Sequence, residues 1–313
     1  MAKWKIIITD GLDADGQEIL RAAAEVQDRS GISPDELLEV IGAYDALIVR
    51  SRTRVNQDVF AAARRLKVVG RAGVGVDNID LAAAHLHGVT VINSPLATTQ
   101  AVAEHTLALM LALSRSIPAA DAGLKSGRWL KKELLGVELA GKILGVIGMG
   151  NIGSAVARLG AALGMAVLGY DPLISVDELR ARGAEPVALA DLYARSDFIS
   201  LHVPLLPETR NLINGQSLGL MKRGVRLICT SRGGLIDETA LLGALESGQV
   251  AGAGLDVFAK EPPGVSALVT HPAVVATPHI AAQTVEAQAR AAADIAREVL
   301  AALKGEALRW KVV

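Results

Sequence analysis

The chain has 313 residues, 51% of them hydrophobic and 21% charged, with a formal net charge of −1. That length suits about two domains with their own cores, and the balanced charge offers nothing to attract nucleic acid or an anionic membrane. One cysteine, Cys229, excludes an intrachain disulfide and fits a reducing cytoplasm. The N-terminal apolar run is too short for a signal peptide, and no apolar stretch reaches a membrane span without a charge or a Gly/Pro interruption.

A strand is expected at residues 4–9 and a helix at 15–24. Ser33-Pro34-Asp35-Glu36 is a helix start, with Ser at the cap, Pro at the first position and Glu closing a capping box. Residues 46–49 then read as a strand, 57–65 as a helix, 67–70 as a strand, 81–87 as a helix and 90–92 as a strand. Alternating units of this length argue for a parallel, doubly wound sheet. Residues 101–115 form an Ala/Leu-rich helix, apolar nearly all round and therefore expected to be buried between domains or subunits. A second doubly wound unit starts near Lys142. Its strands are expected at 143–147, 166–169, 186–189, 198–203, 225–229, 251–256 and 274–276. Its helices are expected at 151–163, 176–182, 192–195, 217–222 and 238–247. A last amphipathic helix, 285–303, is longer than its own sheet needs and is free to return to the first domain. The fold class expected is α/β, with two doubly wound parallel-sheet domains.

The strand at 143–147 runs directly into Gly148-x-Gly150-x-x-Gly153 and a helix, and the next strand ends in Asp171. Gly148 permits the tight turn, Gly150 lets backbone approach a pyrophosphate, and Gly153 allows close helix-on-strand packing. Free N–H groups at the helix start favour the anion. Asp171 stands where an acid accepts hydrogen bonds from the adenosine ribose and repels a 2′-phosphate, which favours NAD over NADP. Three glycines alone would be a packing corner; the strand, helix and acid around them point to a dinucleotide.

Ligands of open α/β sheets bind beyond the carboxyl ends of the strands. After Val49 come Arg50-Ser51-Arg52-Thr53-Arg54, which read equally as a solvated basic loop or an anion site. Gly73-Val74-Gly75 reads as an amide cradle for a carboxylate or as a tight strand–helix turn. Beyond three later strands stand Thr230-Ser231-Arg232, Asp256 with Glu261 a little further on, and Pro278-His279. Hydride transfer to a 2-oxo acid needs a cation for the carboxylate, an imidazole to move a proton near neutral pH, and a carboxylate to orient that imidazole.

Together these segments resemble the D-2-hydroxyacid dehydrogenase family, most closely its short-form D-3-phosphoglycerate dehydrogenase branch. The resemblance runs from Val49-Arg50-Ser51 through Gly73-Val74-Gly75-Val76-Asp77-Asn78, Val102-Ala103-Glu104-His105 and Gly136-Val137-Glu138-Leu139. It continues through Gly148-Met149-Gly150, Tyr170-Asp171-Pro172, His202-Val203-Pro204-Leu205, Ser231-Arg232-Gly233-Gly234, Leu255-Asp256-Val257-Phe258 and Pro278-His279. It implies a Rossmann-type NAD domain at 96–284 and a flavodoxin-like substrate domain at 1–95, completed by 285–313. Catalysis is then expected in a cleft that closes on substrate and excludes water.

The resemblance implies His279 as acid/base, Glu261 as its partner and Arg232 as the group binding the substrate carboxylate. NAD is expected on Gly148, Gly150, Asn151, Ile152, Gly153 and Asp171, with His202, Val203, Pro204, Thr209, Thr230, Ser231 and Asp256 completing the site. Substrate is expected on Arg50, Ser51, Arg52, Gly73, Val74, Gly75 and Lys131, and no metal is implied. The sequence departs from the branch at Thr98, Ala281 and Gln283, where Asn, Gly and Ser are common.

The expected activity is NAD-dependent oxidation of D-3-phosphoglycerate to 3-phosphohydroxypyruvate, the first step of serine biosynthesis, in a cytoplasmic homodimer formed through residues 101–115. The chain ends at Val313, without room for a serine-binding regulatory domain, so no serine feedback is expected. Two other readings stay open. One is a glyoxylate, hydroxypyruvate or other 2-oxo acid reductase, which gains if Arg52 and Arg54 point to solvent. The other is an NAD-sensing, co-repressor-like binding protein.

Overall fold

The structure, a computed structural model, describes residues 3–313. The chain divides into two compact units, one of Met1–Thr98 with Ala282–Val313 and the other of Thr99–Ala281.

Unit 1 holds a five-stranded parallel sheet. Its strands are β1 (Trp4–Ile8), β2 (Ala24–Asp28), β3 (Ala46–Val49), β4 (Val68–Arg71) and β5 (Thr90–Asn93), in the order β2-β1-β3-β4-β5. That order is the flavodoxin-like one. Strand β3, and β4 as far as Gly70, are apolar because helices cover both faces. On one face lie α2 (Pro34–Val40), α3 (Gln57–Ala62) and α4 (Leu81–Leu86), packed through Leu37, Val59, Phe60 and Ala84. On the other lie α1 (Ala14–Ala23) and α12 (Val285–Lys304), whose Ile295, Ala296 and Val299 meet Ile6, Ile8, Ile48 and Val68. The Ser33–Glu36 capping box at the start of α2 forms. Strand β2 is not foreseen by the hydrophobic pattern. Its Glu25, Gln27 and Asp28 are the polar residues of an edge strand, and α1 runs into it with no intervening turn.

Unit 2 holds a seven-stranded parallel sheet. Its strands are β6 (Ile143–Ile147), β7 (Ala166–Tyr170), β8 (Glu185–Pro186), β9 (Phe198–Leu201), β10 (Val225–Cys229), β11 (Val250–Leu255) and β12 (Val274–Ala276). The order β12-β11-β10-β9-β6-β7-β8 reverses direction beside β6, the switch point at which a dinucleotide fold binds its ligand. Helix α7 (Asn151–Ala162) follows β6. Helices α8 (Val176–Ala181), α9 (Leu189–Arg195), α10 (Gly215–Leu220) and α11 (Glu238–Glu246) complete the crossovers. The strand expected at 186–189 is cut short, because Leu189 already opens α9 and packs against the core.

Within one copy of the chain, helix α5 (Thr99–Arg115) is covered on one side. Its inner face packs on α7 and on β10, β11 and β12, while Glu104, Ala108, Leu111 and Arg115 form a solvent-facing stripe. Glycines in β11 make this packing possible: a Cβ at Gly254 would come within 3.0 Å of Leu109 Cβ. A further helix unforeseen from sequence, α6 (Ile117–Lys125), follows at once. Among the described residues no single helix is long and apolar enough to cross a membrane; α5 and α6 meet that composition only together, across a 63° bend.

Candidate active site

The loop after β6 is built for close backbone approach. Gly148 has φ +89°, and a Cβ there would lie 2.6 Å from the His202 carbonyl. A Cβ at Gly153 would lie 1.9 Å from the Gly148 carbonyl, whereas Gly150 faces open space. Gly150 is the N-cap of α7 and brings no side-chain acceptor, so the first amides of Asn151, Ile152 and Gly153 are left for an anion. Asp171 accepts from the Met149 amide at 2.9 Å and the Leu173 amide at 3.0 Å, one on each oxygen, which leaves lone pairs for a ribose diol. An open Gly150, an uncapped helix start and this carboxylate together fit a dinucleotide.

The segment after β9 packs against that loop, with Val203 2.8 Å from the position of a Gly148 Cβ. Pro204 lies exposed beyond it, and the Thr209 hydroxyl shapes the turn by donating to the Pro204 carbonyl at 2.6 Å. His202 Nε2 is 2.7 Å from Ser200 Oγ, and Nδ1 is buried without a protein partner. Burial pushes this imidazole down to about 3, so it is neutral at physiological pH.

Beyond the other half of the sheet His279 and Glu261 come together. His279 Nδ1 is 2.8 Å from Glu261 Oε2, and Glu261 Oε1 accepts from the Phe258 amide at 3.1 Å. Both side chains are partly exposed, with Nδ1 spent on Glu261, so Nε2 is the nitrogen available to a substrate. His279 itself sits in the left-handed region, φ +54°, with its amide donating to the Asp256 carbonyl at 2.8 Å. Arg232 donates to the Ser231 carbonyl at 2.6 Å. Its turn abuts the segment leading to Glu261, since a Cβ at Gly233 would lie 1.8 Å from the Phe258 carbonyl. Cys229, behind this turn, is buried, and burial pushes its thiol up.

Asp256 is fully buried. Its oxygens accept from the Thr277 hydroxyl (2.5 Å) and the amides of Ile280 (2.9 Å) and Ala281 (2.8 Å). Burial by itself would raise this carboxyl, but His105, Thr277 and the two amides hold it below its ordinary value. Asp256 thus has a task inside the protein that its position after β11 did not disclose. Thr230 is likewise buried, with its hydroxyl 2.9 Å from that of Thr106, while Ser231 stands 3.8 Å from the Cys229 sulfur.

In unit 1 the basic loop after β3 is organised by Asp10, which lies just beyond β1. Asp10 accepts from the amides of Arg50 (2.8 Å) and Thr53 (3.0 Å) and from the Thr53 hydroxyl, and pairs with Arg52 at 3.2 Å. Arg52 also donates to the carbonyls of Thr9 (2.6 Å) and Ile32 (3.0 Å). It therefore neither points freely to solvent nor stands ready for a substrate; it ties the loop to the end of β1. Arg54 and Ser51 are exposed, and Arg50 meets Gln283 Oε1 at 3.2 Å. Asn78 Nδ2 donates to the carbonyls of Arg50 and Thr53, joining this loop to the one carrying Gly73, Val74 and Gly75. Gly73 has φ +142°, a backbone conformation that other residues rarely adopt, and a Cβ there would displace the end of the Arg71 side chain. Lys131 in unit 2 is exposed and makes no hydrogen bond or ion pair among the described residues. Asp10 could have been found, because it follows a parallel strand as Asp171 and Asp256 do; Asn78 and Gln283 carry no such signal.

Residues 107–281 match the family model described as D-isomer specific 2-hydroxyacid dehydrogenase, NAD binding domain. The chain is 46% identical over 301 residues to D-3-phosphoglycerate dehydrogenase of Synechocystis, covering 96% of this chain and 54% of that one. The chain spans about half the length of the curated relatives it matches. Among solved structures, a glyoxylate reductase from Paecilomyes thermophila is 32% identical with a TM-score of 0.92, covering 100% of this chain and 99% of that one. The D-lactate dehydrogenase from Aquifex aeolicus complexed with NAD and lactic acid is 32% identical with a TM-score of 0.83, covering 96% of both.

Proposed function

The chain belongs to the D-isomer specific 2-hydroxyacid dehydrogenases, and from that membership we propose that it oxidises D-3-phosphoglycerate to 3-phosphohydroxypyruvate with NAD. The observation that carries the enzymatic reading is the His279–Glu261 pair beyond β12, with Nε2 left for the substrate. Bound NAD supplies the hydride acceptor. Nε2 of His279 takes the proton of the C2 hydroxyl while Glu261 accepts from Nδ1–H and fixes the ring, and Arg232 binds the substrate carboxylate. The amides of Asn151, Ile152 and Gly153 receive the pyrophosphate, and Asp171 the ribose. His202, Val203, Pro204, Thr209, Thr230 and Ser231 complete the cofactor side, while Asp256, buried and engaged by Thr277 and two amides, supports the segment that bears His279.

The part of unit 1 in this reading is anion binding by Arg50, Ser51 and the amides of Gly73, Val74 and Gly75, with Lys131 as a further cation. Arg52 supports the loop rather than the ligand. Residues 1–95 with 285–313 are read as the substrate domain and 96–284 as the cofactor domain. The enzyme is read as a cytoplasmic homodimer. Exposed apolar side chains along α5, α6 and the following loop (Leu111, Ile117, Leu124, Trp129 and Leu135) support the dimer.

One observation favours a second reading. With Arg52 engaged by Asp10, one cation fewer remains for a phosphate, as in a reductase of unphosphorylated 2-oxo acids. NADH oxidation with phosphohydroxypyruvate, hydroxypyruvate and glyoxylate under one set of conditions separates the two. A kcat/KM orders of magnitude higher for the phosphorylated acid is expected. Equal or better activity on the other two would transfer the protein to the general reductases.

A further inference from the structure

Two adjacent residues of α5, His105 and Thr106, brace the carboxyl ends of three neighbouring strands of unit 2. His105 Nε2 lies 3.0 Å from Thr277 Oγ1, beyond β12, and 3.5 Å from Asp256 Oδ1, beyond β11. Thr106 Oγ1 lies 2.9 Å from Thr230 Oγ1, beyond β10. Proton counting fixes the direction of these bonds. Thr277 has one hydroxyl proton, and the 2.5 Å bond to Asp256 takes it, because a carboxylate only accepts. The Thr277 oxygen therefore accepts from His105, and Nε2 of His105 carries a proton. Thr106 likewise donates its proton to the Val102 carbonyl at 2.8 Å, so Thr230 donates to Thr106.

The carboxylate at the centre of this set controls the segment that bears His279. Asp256 accepts the amides of Ile280 and Ala281, its own carbonyl accepts the His279 amide, and Thr277 closes the other end. His279, between these anchors, keeps a left-handed backbone that side chains other than glycine seldom adopt. Such a conformation persists only where its surroundings over-determine it. Removing the His105 donor would leave the Thr277 oxygen without its partner and one face of the Asp256 carboxylate uncompensated.

We propose that His105 is a positioning residue for the His279–Glu261 pair: its Nε2–H, acting through the Thr277 hydroxyl and the Asp256 carboxylate, sets the conformation of residues 277–281. The inference rests on the reading of His279 as the acid/base. The test uses His105→Leu and Thr277→Val, which remove the donor and the hydroxyl, beside His105→Gln and Thr277→Ser, which keep them. The first two should each lower kcat for phosphohydroxypyruvate reduction about 10- to 100-fold, as displaced catalytic groups do, with the KM for NADH within about twofold. The double variant should lose no more than either single one, since both break one linkage. The conservative variants should recover most of the rate.

Long-range proton–nitrogen spectra of the imidazoles give an independent readout, with His105 and His279 each assigned by the signal lost on replacement. His105 should be protonated at Nε2, and the His279 signals should move in Thr277→Val but not in Thr277→Ser. Unchanged kcat together with unmoved His279 signals, or a wild-type His105 protonated at Nδ1 alone, would overturn the proposal. If the wild-type enzyme turned over none of the three 2-oxo acids, the activity reading would fall, and the His279 signals would still decide whether His105 positions the segment.

Discussion

Asp10, Asp171 and Asp256 each stand just beyond the carboxyl end of a parallel strand, and each carboxylate collects backbone amides there. Their surroundings divide the work. Asp10 is closed by Arg52 and Thr53, Asp256 by Thr277 and two amides, and Asp171 alone keeps capacity for a ligand. His279 is the residue on which the proposed chemistry turns. His279→Gln should lower kcat by about 10² to 10⁴, the usual weight of a positioned acid/base, with NAD affinity by calorimetry unchanged; near-wild-type turnover would remove His279 from the role. His202 makes a different prediction, about pH. Its imidazole titrates near 3 in the fold and near 6.5 when unfolded, so the unfolded chain takes the proton first as pH falls. The stability it contributes is whole above about pH 6.5 and drains away as pH falls toward 3, at about 1.4 kcal/mol per pH unit. Urea unfolding at pH 7.5, 6 and 5 should show a steeper loss in the wild type than in His202→Gln. Parallel slopes for the two proteins would sink the assignment.

At the scale of elements, close approaches of backbone set what each helix can do. Helix α7 starts so near the Gly148 carbonyl that residue 153 has no room for a side chain, and this proximity also aims the α7 amides at the ligand loop. In unit 1, α1 and α12 meet through Gly16, where a Cβ would lie 2.6 Å from the Ala292 carbonyl. The two glycines should therefore respond differently to alanine. Gly16→Ala should cost about 1–3 kcal/mol of stability by overpacking and leave the NAD dissociation constant alone. Gly153→Ala should weaken NAD binding as well, because the shifted backbone carries the anion site with it. Equal effects of the two on NAD affinity would mean that the loop geometry matters less than argued. Helix α5 is covered on one side only within a copy of the chain: a stripe containing Glu104, Leu111 and Arg115 faces outward there, because only one side of the helix has a sheet to cover.

For the whole molecule, two parallel sheets differ in strand order, and the ends of their strands collect nearly every residue considered for function. The apolar surface of α5, α6 and the loop after them gives unit 2 a face suited to a second copy of the chain. Light scattering after gel filtration should give twice the chain mass, and Leu124→Glu, which puts a charge on that face, should yield monomers with the far-UV spectrum retained. A monomeric wild type would withdraw the dimer reading.

The sequence by itself determined the alternation of strands and helices, the nucleotide loop with its distant acid, the capping box of α2 and the pairing of His279 with Glu261. The first three are written within a few consecutive residues or one βαβ unit, where hydrophobic period, glycine and spacing act locally; the last came through the likeness to a family. Only the tertiary structure decided what Arg52 does, because its partners Asp10 and Thr9 lie on another strand end, 43 residues away in the case of Thr9. It alone revealed the edge strand β2, whose polar residues imitate a loop, and the bond from His105 to Thr277 across 172 residues. Contacts of that kind depend on which strands become neighbours in a sheet. Neither residue carries a local mark of the other, so the linkage exists only once the chain has folded.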